Sequence, residues 1–168
     1  MRSVRQIAFI AIMAGIAFSS QLLLAGLPNI ELVSVIFLIC ALSLRLPTAM
    51  TISFIFVLLQ GLYWGFADWV IAYLYVWPFF ILVSFALKKR LTTPLRAALL
   101  SGTFGLLFGT LFSLQHLILF GLNAAIAYIV SGITFDIIHA IGNFVLMLVL
   151  FEPLRRVIIL VKTRVGGV

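Results

Sequence analysis

Six apolar runs, parted by short polar or turn-forming segments, fill nearly the whole chain between Ile7 and Phe151. Most are long enough to match the hydrocarbon thickness of a bilayer, which takes about 20 apolar residues in a helix. One core in a chain of 168 residues has no room for that much apolar surface, and a membrane removes the conflict by acting as the solvent. The composition agrees: 65% of the residues are hydrophobic and 9% charged, far from the balance of a soluble domain. A single integral membrane domain over residues 1–168 is therefore expected, all-α and polytopic.

The runs are expected at 7–24, 32–44, 48–66, 69–87, 97–120 and 123–151. Gly26, Pro28 and Asn29 break the first from the second, and Arg45-Leu46-Pro47 parts the second from the third. The second is short for a span, and the sixth is long enough to tilt. Beyond it, from Glu152, the sequence reads as a basic amphipathic tail ending in a loose Gly166-Gly167-Val168. The first run looks briefly like a signal peptide, since Arg2 and Arg5 precede it. It is longer than a signal core of roughly 7–15 residues and lacks a small-x-small cleavage site, so it reads as a retained span.

Charge orients these runs. With six spans and both termini in the cytoplasm, all eleven Lys and Arg fall on the cytoplasmic side. They are Arg2, Arg5, Arg45, Lys88, Lys89, Arg90, Arg96, Arg155, Arg156, Lys162 and Arg164. The outer connections carry Glu31 and Asp68 but no basic residue, which is the positive-inside asymmetry. The net charge of +7 thus points to the anionic inner leaflet of the bilayer and not to nucleic acid. The one cysteine, Cys40, lies inside an apolar run and reads as a packing residue.

Several residues at membrane depth are candidates for function. Trp69, Tyr73 and Trp77 are spaced i, i+4, i+8 and share one helical face. They form either an aromatic interface belt or the wall of a site for a flat organic ligand. Asp136, His139 and Asn143 line one stripe of the sixth run. Polar groups there need each other or a ligand, and Asp136 and His139 can pair with each other. Gln115 and His116 stand near the outer end of the fifth run, either interfacial or offering hydrogen bonds to a ligand. Glu31 either caps the second helix or contacts ligand. Ala11 and Gly15 make a small-xxx-small pair with Ala8 and Ala14 beside it, and Gly102, Gly105 and Gly109 dot the fifth run. Such residues serve close helix packing, inside the bundle or against another membrane protein. No internal repeat, hydrolase motif, metal-ligand set or phosphate-cradling glycine loop is present, so neither an enzyme nor an inverted-repeat transporter is expected.

The pattern resembles the S components of energy-coupling factor vitamin transporters. The resemblance covers nearly the whole chain and rests on size, topology and the small-residue first helix. It also rests on Leu27-Pro28-Asn29-Ile30-Glu31-Leu32-Val33 and on the stretches 69–77 and 135–143. It implies a multi-pass protein of a bacterial plasma membrane that binds a vitamin on its outer face. It implies a transmembrane coupling protein and two cytoplasmic ATPases as partners, with no cofactor of its own. Ala11 and Gly15 stand where that family carries an alanine-xxx-alanine docking pair on the first helix.

The segments Tyr73-Leu74-Tyr75-Val76-Trp77 and Phe135-Asp136-Ile137-Ile138-His139 look most like the cobalamin-specific type. The alternatives are a smaller vitamin or precursor: a hydroxymethylpyrimidine, pyridoxine, a queuosine precursor or pantothenate. The lack of Lys or Arg on the outer side argues against carboxylate ligands such as pantothenate. A non-transport reading is a membrane assembly subunit, in which Asp136, His139 and Asn143 clasp helices.

Overall fold

The computed structural model describes residues 3–165, so Arg2 and the tail at 166–168 lie outside the described residues. Six α-helices and no strand are present among them: α1 (Val4–Leu23), α2 (Val33–Ser43), α3 (Leu46–Trp64), α4 (Asp68–Ala86), α5 (Pro94–Phe120) and α6 (Leu122–Val165).

The boundaries follow local chemistry. Ser3 caps α1, its Oγ accepting from the Gln6 N–H while the Gln6 side chain accepts from the Ser3 N–H. Pro47 and Pro94 sit in the first turns of α3 and α5, where no helical donor is lost. Thr93 caps α5 through a bond from the Arg96 N–H. Gly65 and Gly121 end α3 and α5 at φ +90° and +84°, a conformation that other residues rarely adopt.

α1, α3, α4 and α5 are each long and apolar enough to cross a membrane. The protein is thus an all-helical bundle of membrane-embedding character. The outward faces carry large apolar side chains, among them Ile12, Leu58, Leu74, Leu106, Ile118 and Val149. Such a surface suits lipid and not water.

α2 matches the short run expected at 32–44, whereas α6 departs from its expected segment. α2 has 11 residues, roughly 16 Å, about half the hydrocarbon thickness. It packs against all five other helices, and nearly all its residues are buried, so it forms the core. α6 has 44 residues, because the stretch from Glu152, expected as a separate tail, continues the same helix past Pro153. At roughly 66 Å it exceeds the hydrocarbon layer about twofold. Its last part lies beside the end of α2, where Lys162 Nζ donates to the Ser43 carbonyl at 2.6 Å. Lys162 and Arg164 in the last turn also suit the helix C-terminus.

α5 and α6 form the closest pair. The three glycines of α5 explain it. A Cβ at Gly105 would come within 2.8 Å of the His139 backbone, and one at Gly109 within 2.5 Å of Asp136 Oδ2. These glycines therefore serve packing within the bundle.

Candidate ligand-binding site

The loop between α1 and α2 folds back onto α6. Asn29 adopts φ +62°, which Asn tolerates better than most residues, and its Nδ2 donates to the Phe135 carbonyl at 3.0 Å. Ile30 packs on Gly142, where a Cβ would stand 2.8 Å from Ile30 Cδ1. Pinned this way, the loop delivers Glu31 into the bundle, where it is 9% exposed.

Glu31 accepts from the Ser34 N–H with both oxygens, at 2.9 and 3.2 Å, and so caps α2. Its Oε1 also stands 3.3 Å from His139 Nε2. Asn143 Nδ2 donates to Ser34 Oγ at 3.1 Å and extends this network along α6.

On the facing wall, Trp69, Tyr73 and Trp77 follow one another edge to face, with centroid separations of 5.2 and 5.6 Å. The Tyr73 hydroxyl accepts from Gln21 Nε2 at 3.1 Å, and Gln21 Oε1 accepts from Gln60 Nε2 at 2.6 Å.

Between the loop and this wall lies a cavity of about 280 Å³. Gln21, Glu31, Tyr73, Trp77, Phe108 and His139 are among the residues that line it, with no Lys or Arg. Glu31 is its only carboxylate. Trp77 Nε1 and His139 Nδ1 are buried without a protein partner. A second cavity of about 380 Å³ adjoins it, sharing Tyr73, Phe108 and Phe135 and adding Trp69, Tyr128 and Asp136.

The predicted site residues thus divide. Trp77 and His139 line the first cavity, Trp69 and Asp136 the second, and Tyr73 both. Asn143 lines neither and sits fully buried against Ser34. Gln115 is buried away from both cavities, and His116 stacks on Tyr128 at 4.1 Å outside them. Asp136 and His139, which could have paired, do not. Asp136 Oδ1 accepts from the Gly109 N–H at 3.0 Å, a bond between α5 and α6, while His139 turns to Glu31.

On α1, Ala8 and Ala11 face outward, and a Cβ at Gly15 would meet open space. Ala14 is fully buried beside Ile10 and Ala17, because the helical period turns it to the core. It is therefore not available to a partner, contrary to expectation.

Gln21, Gln60, Phe108 and Tyr128 were not singled out in the sequence. The two glutamines carried a usable signal: a long polar side chain within an apolar run needs a partner at membrane depth. Comparison with family models, with curated proteins and with solved structures gives no match for this chain.

Proposed function

We propose that this chain is the substrate-capturing subunit of an energy-coupling factor importer, taking a compact heteroaromatic vitamin or precursor from the outer face. The observation that carries this reading is the first cavity. A buried carboxylate and imidazole, joined at 3.3 Å, meet an aromatic wall beside unfilled space. A clasp alone explains Asn143 and Asp136, whose bonds tie helices together. It leaves the space beside Glu31, Tyr73 and Trp77 without a role.

The volume and charge narrow the ligand. Sites for small molecules run from roughly 300 to 1,000 Å³, and about 280 Å³ suits one or two rings. Cobalamin is far larger and requires Tyr73, Phe108 and Phe135 to withdraw so that the two cavities merge. The smaller-ligand alternatives are therefore favoured over cobalamin. A wall with one carboxylate and no Lys or Arg favours a neutral or basic ring bearing N–H donors, and disfavours pantothenate.

In this reading six segments cross the membrane with both termini in the cytoplasm. The short α2 completes its passage with the loop at residues 24–32. Cysteines introduced at Ala67 and Gly121 are expected to react with an impermeant thiol reagent from outside, and one at Thr92 only after permeabilisation. Native Cys40, fully buried, is expected to stay silent. Outside labelling at Thr92 contradicts the topology.

The partners are a transmembrane coupling protein and two cytoplasmic ATPases, met through the outward face of α1 that carries Ala11 and Gly15, while Ala8 lines a groove toward α6. Ala11→Trp is expected to abolish uptake in cells while ligand binding by the purified chain stays within about twofold, because a bulky ring holds two helices apart. Uptake at the wild-type rate removes this face from the partner interface. Parallel loss of binding and uptake places Ala11 in the chain's own packing.

A further inference from the structure

A second site lies at the opposite end of the bundle from the ligand cavity. Here the start of α1 and the end of α6 barely touch, leaving a groove of about 530 Å³. Its walls are apolar, with Ile12 and Ile16 on α1 and Val157 and Val161 on α6. Its only charged lining residues are Arg5 and Arg164. Among the described residues, no Asp or Glu lines the groove. Of the chain's four acids, Glu31 pairs with His139, Asp136 bonds α5, Asp68 starts α4 and Glu152 lies 3.9 Å from Arg156. Neither Arg5 nor Arg164 has an ion-pair or hydrogen-bond partner among the described residues.

We infer that this groove is a binding site for an anionic phospholipid, with an acyl chain along the apolar walls and the phosphodiester between Arg5 and Arg164. The two halves of the groove ask for different chemistry, and one amphiphile supplies both. Guanidinium groups bind phosphate oxygens in a matched geometry. A free phosphate leaves the apolar walls uncovered, and an apolar helix leaves two cations without a counter-charge. Arg45 and the 88–96 segment adjoin helix ends that the antiparallel connections bring to this same end, so the surrounding surface also favours anionic lipid. The inference does not depend on the ligand cavity.

The test uses the full chain in neutral detergent, titrated with dioleoyl phosphatidylglycerol or dioleoyl phosphatidylcholine and read by native mass spectrometry. The two lipids share their acyl chains, so the difference reports the headgroup. Phosphatidylglycerol is expected to bind roughly tenfold or more tightly than phosphatidylcholine. R5Q/R164Q is expected to erase that preference. K88Q/K89Q removes the same two charges at the same end of the bundle and is expected to keep it. Val161→Trp, which fills the groove and leaves the arginines in place, is expected to weaken both lipids. Equal binding of the two lipids by the unaltered protein overturns the proposal. So does a preference that survives in R5Q/R164Q, or one lost equally in K88Q/K89Q. If Val161→Trp leaves lipid binding intact and instead blocks association with a membrane protein partner, the groove is a protein seat and the lipid assignment fails.

Discussion

Glu31→Gln is expected to weaken ligand capture by roughly tenfold or more while the protein melts close to the wild-type temperature. The reason lies in the two tasks of one side chain. As a cap, Glu31 accepts the Ser34 N–H at the start of α2, and a glutamine oxygen still does this. As the only carboxylate of the cavity, it offers a charge that an amide lacks. Hydrogen bonds to charged groups contribute about 1.5–3 kcal/mol, which is one to two decades of affinity. Glu31→Ala is the harsher change. It leaves Ser34 N–H and His139 Nε2 without their acceptor, and each buried donor left unpaired costs about 1–3 kcal/mol. That variant is expected to lose both binding and stability. Titration calorimetry and thermal unfolding in detergent, run on both variants, separate the roles. If Glu31→Gln keeps wild-type affinity, Glu31 is a cap and nothing more.

Trp77→Ala is expected to have the largest effect on stability, about 3–5 kcal/mol, by opening a cavity in the core. The side chain is 1% exposed. Its ring meets Phe37 at 5.3 Å, Phe56 at 6.0 Å and Tyr73 at 5.6 Å. Phe104 and Phe108 approach it at 5.7 Å each. Such a hub joins α2, α3, α4 and α5, so its loss loosens four helices at once. The expected readout is a large drop in melting temperature, with Trp77→Phe intermediate. Tyr73→Ala, at a half-buried position on both cavities, is expected to lose affinity with a smaller loss of stability. A Trp77→Ala protein that melts like wild type contradicts this division.

The helical bundle was legible because apolar runs and basic residues alternate along the chain, and lipid solvation demands helices there. The extent of α2 was legible, but its burial inside the bundle was not. Val33–Ser43 is as apolar as the spans, and hydropathy does not distinguish a helix buried in protein from one facing lipid. The continuity of α6 was hidden by Glu152 and Pro153, which mark a boundary in most sequences yet sit here inside one helix. In the site, the period of α4 placed Trp69, Tyr73 and Trp77 on one face, as found. The partner of His139 was not legible, because the sequence offers Asp136 three residues away, whereas Glu31 is 108 residues distant. Only the loop fold, with Asn29 on the Phe135 carbonyl and Ile30 on Gly142, brings that carboxylate inward. Gln21 and Gln60 met through the packing of α1 on α3, a contact that spacing within one helix does not reveal.

The central claim is that the cavity beside Glu31 and Tyr73 holds a compact heteroaromatic vitamin or precursor. The most direct measurement is calorimetric titration of the purified chain with a panel: a hydroxymethylpyrimidine, pyridoxine, a queuosine precursor, pantothenate and cobalamin. The account predicts micromolar or tighter binding, about −8 kcal/mol or better, for one of the first three, with affinity lost in Glu31→Gln and Tyr73→Ala. Binding of cobalamin or pantothenate alone, or binding of a compact ring that both variants leave unchanged, contradicts it.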